Sequence, residues 1–438
     1  MRETVIQFGE GNFLRGFFDY FLDVLNKKSL YDGKAVIVQP RAGGKTAGLA
    51  AQDCKYNLCI RGIENGEVRS EHTLVESVSR CVDPYKDFES FLQLADQHDF
   101  RFVVSNTTEA GIAFDANCKL SDTPCLSFPG KVTQLLYRRY CNRMNGFVFL
   151  PCELIDGNAD VLRDCVLQYA DLWGLEKEFA DWVKMENVFA NTLVDRIVTG
   201  YPDDETAALY PDDKYLDTCE WFHLWVIEGH FENELPLQQA GFNVIWTDDA
   251  KPYKKIKVRI LNGAHTSMVP GALLAGKETV GDCMQDAVVS AFLKQCVEKE
   301  ILPTIGDNEE SRRFAASVFD RFRNPYIRHK LRSIALNSVS KFTVRVLPTM
   351  LEYKEQNGVL PNALTASLAF LITFYKNDQP DDNADAIAFI RSNNVAAILA
   401  NEQLWGTDLS DFSDVVEDYC LRIEKDGALG VMQWIVSE

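Results

Sequence analysis

The chain has 438 residues, of which 46% are hydrophobic and 25% charged, the balance of a folded globular protein rather than a disordered one. Its 64 acidic residues outnumber 45 lysines and arginines for a net charge of -19, which argues against nucleic acid or an anionic membrane as partner, since phosphate binding needs excess cation. The twelve cysteines are scattered with no C-x-x-C pair, no uncharged apolar run reaches spanning length, and no signal-peptide pattern opens the chain, so a cytoplasmic protein with reduced thiols is expected.

Strand and helix signals alternate over the first 150 residues. Val5 to Phe8 is a short strand ending at Gly9, and Leu14, Phe17, Phe18, Phe21 and Leu25 follow at helical spacing. Ala35 to Val38, Phe102 to Val104 and Phe147 to Leu150 read as further buried strands. Short apolar strands separated by helices predict βαβ units and a mostly parallel sheet. From about Asp248 the pattern turns helical, with core helices expected at Cys283 to Cys296, Ser311 to Phe322 and Ala363 to Tyr375. The fold class is therefore α/β: a Rossmann-type, dinucleotide-binding domain over 1–247, then a mainly α-helical substrate and catalytic domain over 248–438.

Phe8-Gly9-Glu10-Gly11-Asn12-Phe13-Leu14-Arg15-Gly16 joins the first strand to the first helix. Early glycines permit a tight turn and a close backbone approach, and the helix start offers free N–H groups to a pyrophosphate. The third glycine falls at 16, two places later than usual, and an ordinary strand–helix turn is the competing reading. After the second strand, where an acidic residue commonly selects NAD, stand Gln39-Pro40-Arg41. Gln39 can accept a ribose hydroxyl, Arg41 can hold a 2′-phosphate, or Arg41 is a solvated loop residue; all three readings stay open.

Lys257-Val258-Arg259-Ile260-Leu261-Asn262-Gly263-Ala264-His265 is the most informative segment. On a regular helix Lys257, Asn262 and His265 fall within an arc of roughly 140°. A lysine, an amide and an imidazole converging on one point suit carbonyl reduction without a metal: the lysine moves the proton, and the amide steadies the developing alkoxide. Taken singly, each residue has a plainer reading, as an exposed lysine, an Asn-Gly turn and a core histidine. Basic residues gather around the segment (Lys251, Lys254, Lys255, Arg259) and again at Arg321, Arg323, Arg328, His329, Lys330 and Arg332, with Lys341 and Arg345 beyond. Most would be solvated or ion-paired, and one or two could hold a substrate carboxylate or phosphate. Cys219, His223, Glu228 and His230 lie near one another in sequence but match no zinc-ligand spacing.

The Lys257-x4-Asn262-x2-His265 pattern, the loop Gly9-x-Gly11-x-Phe13-x-Arg15-Gly16, Asn191-Thr192-Leu193-Val194-Asp195-Arg196-Ile197, Trp225 to Glu228 and Arg321 to Pro325 together resemble the polyol-specific long-chain dehydrogenases, the group of mannitol dehydrogenases and hexuronate reductases. Phe8 to Arg15, Pro151 to Asp156 and Leu336 to Phe342 look like its keto-hexuronate-reducing branch. The resemblance implies a Rossmann domain, a helical C-terminal domain, NAD, no catalytic metal and reversible reduction of D-tagaturonate to D-altronate, with fructuronate or mannitol as sibling substrates and a non-catalytic cofactor sensor as the rival class. It implies Lys257 as general acid/base, Asn191 and Asn262 as the oxyanion pair and His265 as the holder of a substrate hydroxyl. Phe8, Gly9, Gly11, Asn12, Phe13, Gln39, Arg41, Asn106 and Glu109 would face the cofactor, Glu109 on its nicotinamide side. Lys341 is the candidate for the substrate carboxylate, and Asp195 and Arg196 look structural.

Overall fold

The computed structural model describes residues 1–64, 66–108 and 110–437. The chain divides into two compact units, one made of 1–61 and 69–250, the other of 62–68 and 251–438. No helix among the described residues is long and apolar enough to cross a membrane.

The first unit is built on a six-stranded sheet. Its strands are β1 (Arg2–Phe8), β2 (Gly33–Val38), β3 (Val78–Val82), β4 (Phe102–Ser105), β5 (Val148–Pro151) and β6 (Val188–Phe189). The order is β3-β2-β1-β4-β5-β6 and every pairing is parallel, the doubly wound arrangement. The apolar runs are continuous because both faces are covered. Ile6, Phe8, Val36, Val103 and Phe149 join one buried cluster, while Val5, Ala35, Phe102, Val104 and Val148 join another with Phe17, Phe18, Phe21 and Trp225. Helices Phe128–Cys141 and Asn158–Leu172 supply the first face, and the helical run from Asn12 to Lys27 the second. Phe8 is in register with Val38 on one side and Ser105 on the other, so three adjacent strands end together. That shared edge, where the connections diverge between β1 and β4, is the ligand-binding crevice of such sheets.

Two further sheets are three-stranded. Leu224–Glu228 runs between Val244–Thr247, parallel to it, and Thr192–Asp195, antiparallel. Asp217–Cys219 pairs in parallel with Tyr56–Glu64, which neighbours Glu67–Val75.

The second unit is helical and centres on Asn362–Asn377, buried from Ala363 to Tyr375. Helix Gly263–Leu274 lies close against it: a Cβ added at Gly271 would sit 2.7 Å from Phe370 Cδ2 and 2.5 Å from Met432 Cε. The helix expected at Ser311 to Phe322 runs Glu309–Phe322, but the one expected at Cys283 to Cys296 is two. Asp286 ends Val280–Gln285 and caps Ala287–Gln295 by accepting the N–H groups of Val288 and Val289.

Candidate active site

The glycine loop sits at the crevice edge of the sheet. Gly9 has φ of +125°, a conformation side chains rarely adopt, and a Cβ there would lie 2.8 Å from the Asn106 carbonyl oxygen. Gly9 is thus required for β1 and β4 to end side by side. Gly11 precedes the helical run at Asn12, and a Cβ placed on it would meet nothing within 4 Å, so the space above the first helical N–H groups is open. An open glycine cradle at a helix start, on the switch-point edge, fits the pyrophosphate of a dinucleotide. Gly16, the displaced third glycine, serves packing, since its Cβ would fall 2.9 Å from Val198 Cγ1. Phe13 stacks on Phe17, with centroids 5.0 Å apart. Asn12 Oδ1 accepts from Arg15 Nη2 at 2.6 Å, and Arg15 is buried beside Asp217, at 3.7 Å.

Gln39 and Arg41 part company. Gln39 is buried, with its Oε1 accepting from the Thr46 hydroxyl at 2.6 Å. Arg41 is exposed and makes no hydrogen bond or ion pair among the described residues. Glu10 Oε1 accepts from the Lys45 N–H at 2.9 Å, which ties the glycine loop to the loop carrying Arg41. Past β4, Asn106 donates its amide to the Cys152 carbonyl at 2.9 Å. Glu109 lies outside the described residues. Ser105 and Thr107 are braced by Glu153, which accepts from the Ser105 hydroxyl at 3.0 Å and from the Thr107 N–H and hydroxyl, each at 2.9 Å. Burial raises the Glu153 carboxyl above its ordinary range, against the pull of those bonds.

Asn191 caps helix Asn158–Leu172: its Oδ1 accepts from the N–H of Ala159 at 3.0 Å and of Asp160 at 3.1 Å. Its Nδ2 donates to Asp160 Oδ2 and Glu228 Oε2, each at 2.8 Å. Both donors of the amide are engaged by carboxylates. Asp160 and Glu228 were not singled out for this role in the sequence; the one signal is the acidic residue closing the apolar strand Leu224–Glu228. Arg196 is a structural tie, donating to the carbonyls of Glu220 at 3.0 Å and Gly16 at 2.8 Å.

In the second unit, Lys251–Lys257 passes through a π-helical turn, Val258–Asn262, into helix Gly263–Leu274. The N–H of Gly263 bonds the carbonyl of Val258, five residues back. This wide turn changes the geometry expected from regular periodicity. A turn wider than 3.6 residues brings positions 257 and 262 nearer to one face than regular spacing does, and position 265 follows three residues on. Lys257 and Asn262 are half-buried, and the Asn262 amide has no hydrogen-bond partner among the described residues. The neighbouring Arg259 is instead committed, to Thr349 at 2.7 Å and Glu352 at 2.9 Å.

His265 stacks on Phe322, centroids 4.1 Å apart and planes 16° from parallel, and meets His329 edge-on at 5.3 Å. Its Nε2 is buried without a hydrogen-bond partner among the described residues. Burial, then the nearby charges of His329, Arg321 and Arg345, hold the ring well below the ordinary histidine range, so it is neutral at neutral pH. Lys341 and Arg345 share helix Ser338–Arg345. Lys341 Nζ donates to the Ile334 carbonyl at 2.9 Å, and burial pushes its ammonium down, aided by Arg345.

The residues weighed as zinc ligands do not gather. His223 Nε2 accepts from the Asn243 N–H at 3.0 Å, which leaves Nδ1 to donate to the Trp221 carbonyl at 3.1 Å; His230 pairs with Asp248 at the surface. Among the described residues, the group of possible metal-ligating atoms lying within 4.8 Å of one another is Cys118, Asp122 and Cys125, which includes none of the four.

Residues 3–239 match the Mannitol dehydrogenase Rossmann domain and residues 249–425 the Mannitol dehydrogenase C-terminal domain. The chain is 43% identical to an altronate oxidoreductase of Enterobacter sp. (strain 638), covering 96% of this chain and 94% of that one. It is 41% identical to an altronate oxidoreductase of Bacillus subtilis (strain 168), covering 98% and 94%. Among solved structures, a substrate-free D-sorbitol dehydrogenase superposes with a TM-score of 0.85 at 22% identity over 99% of this chain and 95% of that one. The Pseudomonas fluorescens mannitol 2-dehydrogenase complex with NAD and D-mannitol does so with 0.72 at 22% identity, covering 100% and 95%; at that identity both speak for the fold. With both domains matched and full-length relatives above two-fifths identity, the chain belongs to the mannitol dehydrogenase family of oxidoreductases.

Proposed function

We propose that this chain is an NAD(H)-linked reductase that interconverts D-tagaturonate and D-altronate. The substrate class rests on the likeness to altronate oxidoreductases along nearly the whole chain. The observation that carries the chemistry is the face formed by Lys257, Asn262 and His265 across the π turn, with the Asn262 amide unengaged.

When bound, the nicotinamide supplies the hydride to the keto carbon. Lys257 protonates the carbonyl oxygen as negative charge grows on it, and in the reverse direction takes the proton from the altronate hydroxyl. The Asn262 amide would donate to that oxygen, where a donor strengthens its bond as the alkoxide forms. We assign Asn191 the second amide; its bonds to Asp160 and Glu228 fix its rotamer, and one of them would be shared with the substrate oxygen. His265, neutral, uses its orphaned Nε2 on a substrate hydroxyl. Lys341 supplies positive charge for the carboxylate. The open space at Gly11, the Phe8–Phe13 loop, Asn106 and exposed Arg41 form the cofactor side; Gln39 supports it from below through Thr46, and Glu109 is assigned the nicotinamide end.

The test follows NADH absorbance with purified protein and D-tagaturonate, with D-fructuronate, fructose and NADPH alongside. Oxidation of NADH by tagaturonate well above the other pairs is the expected result. Turnover of fructuronate or fructose in its place keeps the family and removes the substrate assignment. A preference for NADPH would assign Arg41 to a 2′-phosphate.

A further inference from the structure

Buried or half-buried arginines in this chain are tied down. Arg139 bonds the carbonyls of Asn145, Ala95, Gln97 and Phe100. Arg196 bonds Glu220 and Gly16, Arg61 bonds Asp204 and Thr206, and Arg259 bonds Thr349 and Glu352. Arg345 is the exception. It is half-buried at the end of helix Ser338–Arg345, and its guanidinium has no hydrogen bond, ion pair or ring contact among the described residues. A cation drawn partly out of water without a partner is costly, and no described residue offsets that cost with a bond.

The place of Arg345 is informative. Its carbonyl oxygen lies 3.2 Å from where a Cβ on Gly263 would stand, so the end of its helix packs against the helix beside Asn262. Its charge reaches His265, together with Arg321 and His329, and it reaches Lys341 one turn back along its own helix. Two cations at i and i+4 repel. The carboxylate in reach of Lys341 is Asp382, which already accepts from the Tyr375 hydroxyl and the Val339 N–H. Lys341 spends one donor on Ile334, whereas all five donors of Arg345 are uncommitted.

We propose that Arg345 is the residue that binds the substrate carboxylate, bidentately, and so sets the preference for a sugar acid over a neutral ketose, with Lys341 as its auxiliary. A guanidinium fork matches the two oxygens of a carboxylate in a way a lysine does not. The assignment rests on the proposed keto-acid reductase reading and adds to it the residue that selects the acid.

The experiment compares kcat/KM for D-tagaturonate and for the neutral ketose D-tagatose in wild type, Arg345→Ala, Arg345→Lys and Lys341→Ala, with NADH affinity and thermal midpoint measured on each. Arg345→Ala is expected to lower the acid-to-neutral ratio about 100-fold, mostly through KM for the acid, the effect of removing a charge-assisted pair. NADH affinity should hold, Arg345→Lys should recover part of the ratio, and Lys341→Ala should lower it less. Loss of activity on both substrates in parallel, or a larger effect from Lys341→Ala, overturns the assignment. Should Arg345→Ala fold poorly, the ratio in Arg345→Lys decides: unchanged from wild type, it too overturns it. A wild type that reduces tagatose but no keto-acid overturns the underlying reading at the first measurement, whereas a wild type active on tagaturonate with an Arg345→Ala ratio unchanged overturns Arg345 alone.

Discussion

The helical runs Asn12–Lys27 and Lys251–Leu274 share an irregularity: each is interrupted by a five-residue π turn, Arg15–Asp19 in one and Val258–Asn262 in the other. In the first run the polar side chains turn inward onto partners. Arg15 bonds Asn12 and the Tyr215 carbonyl and pairs with Asp217, while Asp19 accepts from Gln7 and Tyr56. In the second run, among the described residues, Asn262 is without a partner and His265 Nε2 is orphaned. The same backbone device thus serves packing in one unit and leaves donors available in the other. An unmade bond at Asn262 and His265, rather than the π turn itself, distinguishes the second run from the first among the described residues.

The widest separation between the two runs should come from Lys257. Lys257→Ala is expected to lower kcat by about 10³-fold, within the range for a general acid/base, with NADH binding by fluorescence intact. A variant with near-wild-type turnover removes Lys257 from the mechanism. Asn262→Ala should follow with a loss of about 10² in kcat and little change in NADH affinity, as for one oxyanion donor. Equal losses of turnover and cofactor affinity would make Asn262 structural, like Arg15.

Gly16 tests the packing run. Gly16→Ala drives a methyl toward Val198 and should cost about 1–3 kcal/mol of stability, read from denaturant unfolding, while specific activity of the folded fraction holds. A variant as stable as wild type would mean that the third glycine of the loop is placed for the cofactor rather than for packing.

Much of this was legible in the sequence. The strands Val5–Phe8 and Phe147–Leu150 stood out because a parallel sheet buried on both faces demands unbroken apolar runs. Glu67–Val75 did not, because it is exposed along most of its length and shows no alternation. The break at Asp286 carried only a capping signal inside an apolar stretch, without Gly or Pro. Lys257, Asn262 and His265 could be proposed from spacing, but the π turn between them follows no 3.6-residue template. Arg345 looked like one basic residue among many, because the absence of a partner is a tertiary fact that no local pattern encodes.

His265 should give the smallest effect and the most specific one. If its Nε2 bonds a neutral hydroxyl, His265→Asn should lower kcat/KM about tenfold, the scale of one uncharged hydrogen bond. Because burial, with His329, Arg321 and Arg345 beside it, holds the ring well below its ordinary range, it stays neutral as pH falls from 8 toward 6, and the pH profile of the variant should superpose on that of wild type after scaling. The same shift bears on stability with a definite sign. Below the unfolded value near 6.5 the unfolded chain takes up a proton that the folded ring refuses, so stability is full above that pH and falls as the solution is acidified. His265→Asn should flatten that acid-side loss in a urea series between pH 5 and 7. A wild-type rate profile with an acid limb that vanishes in His265→Asn would instead show the ring titrating during turnover, and would move His265 from hydroxyl binding to proton transfer beside Lys257.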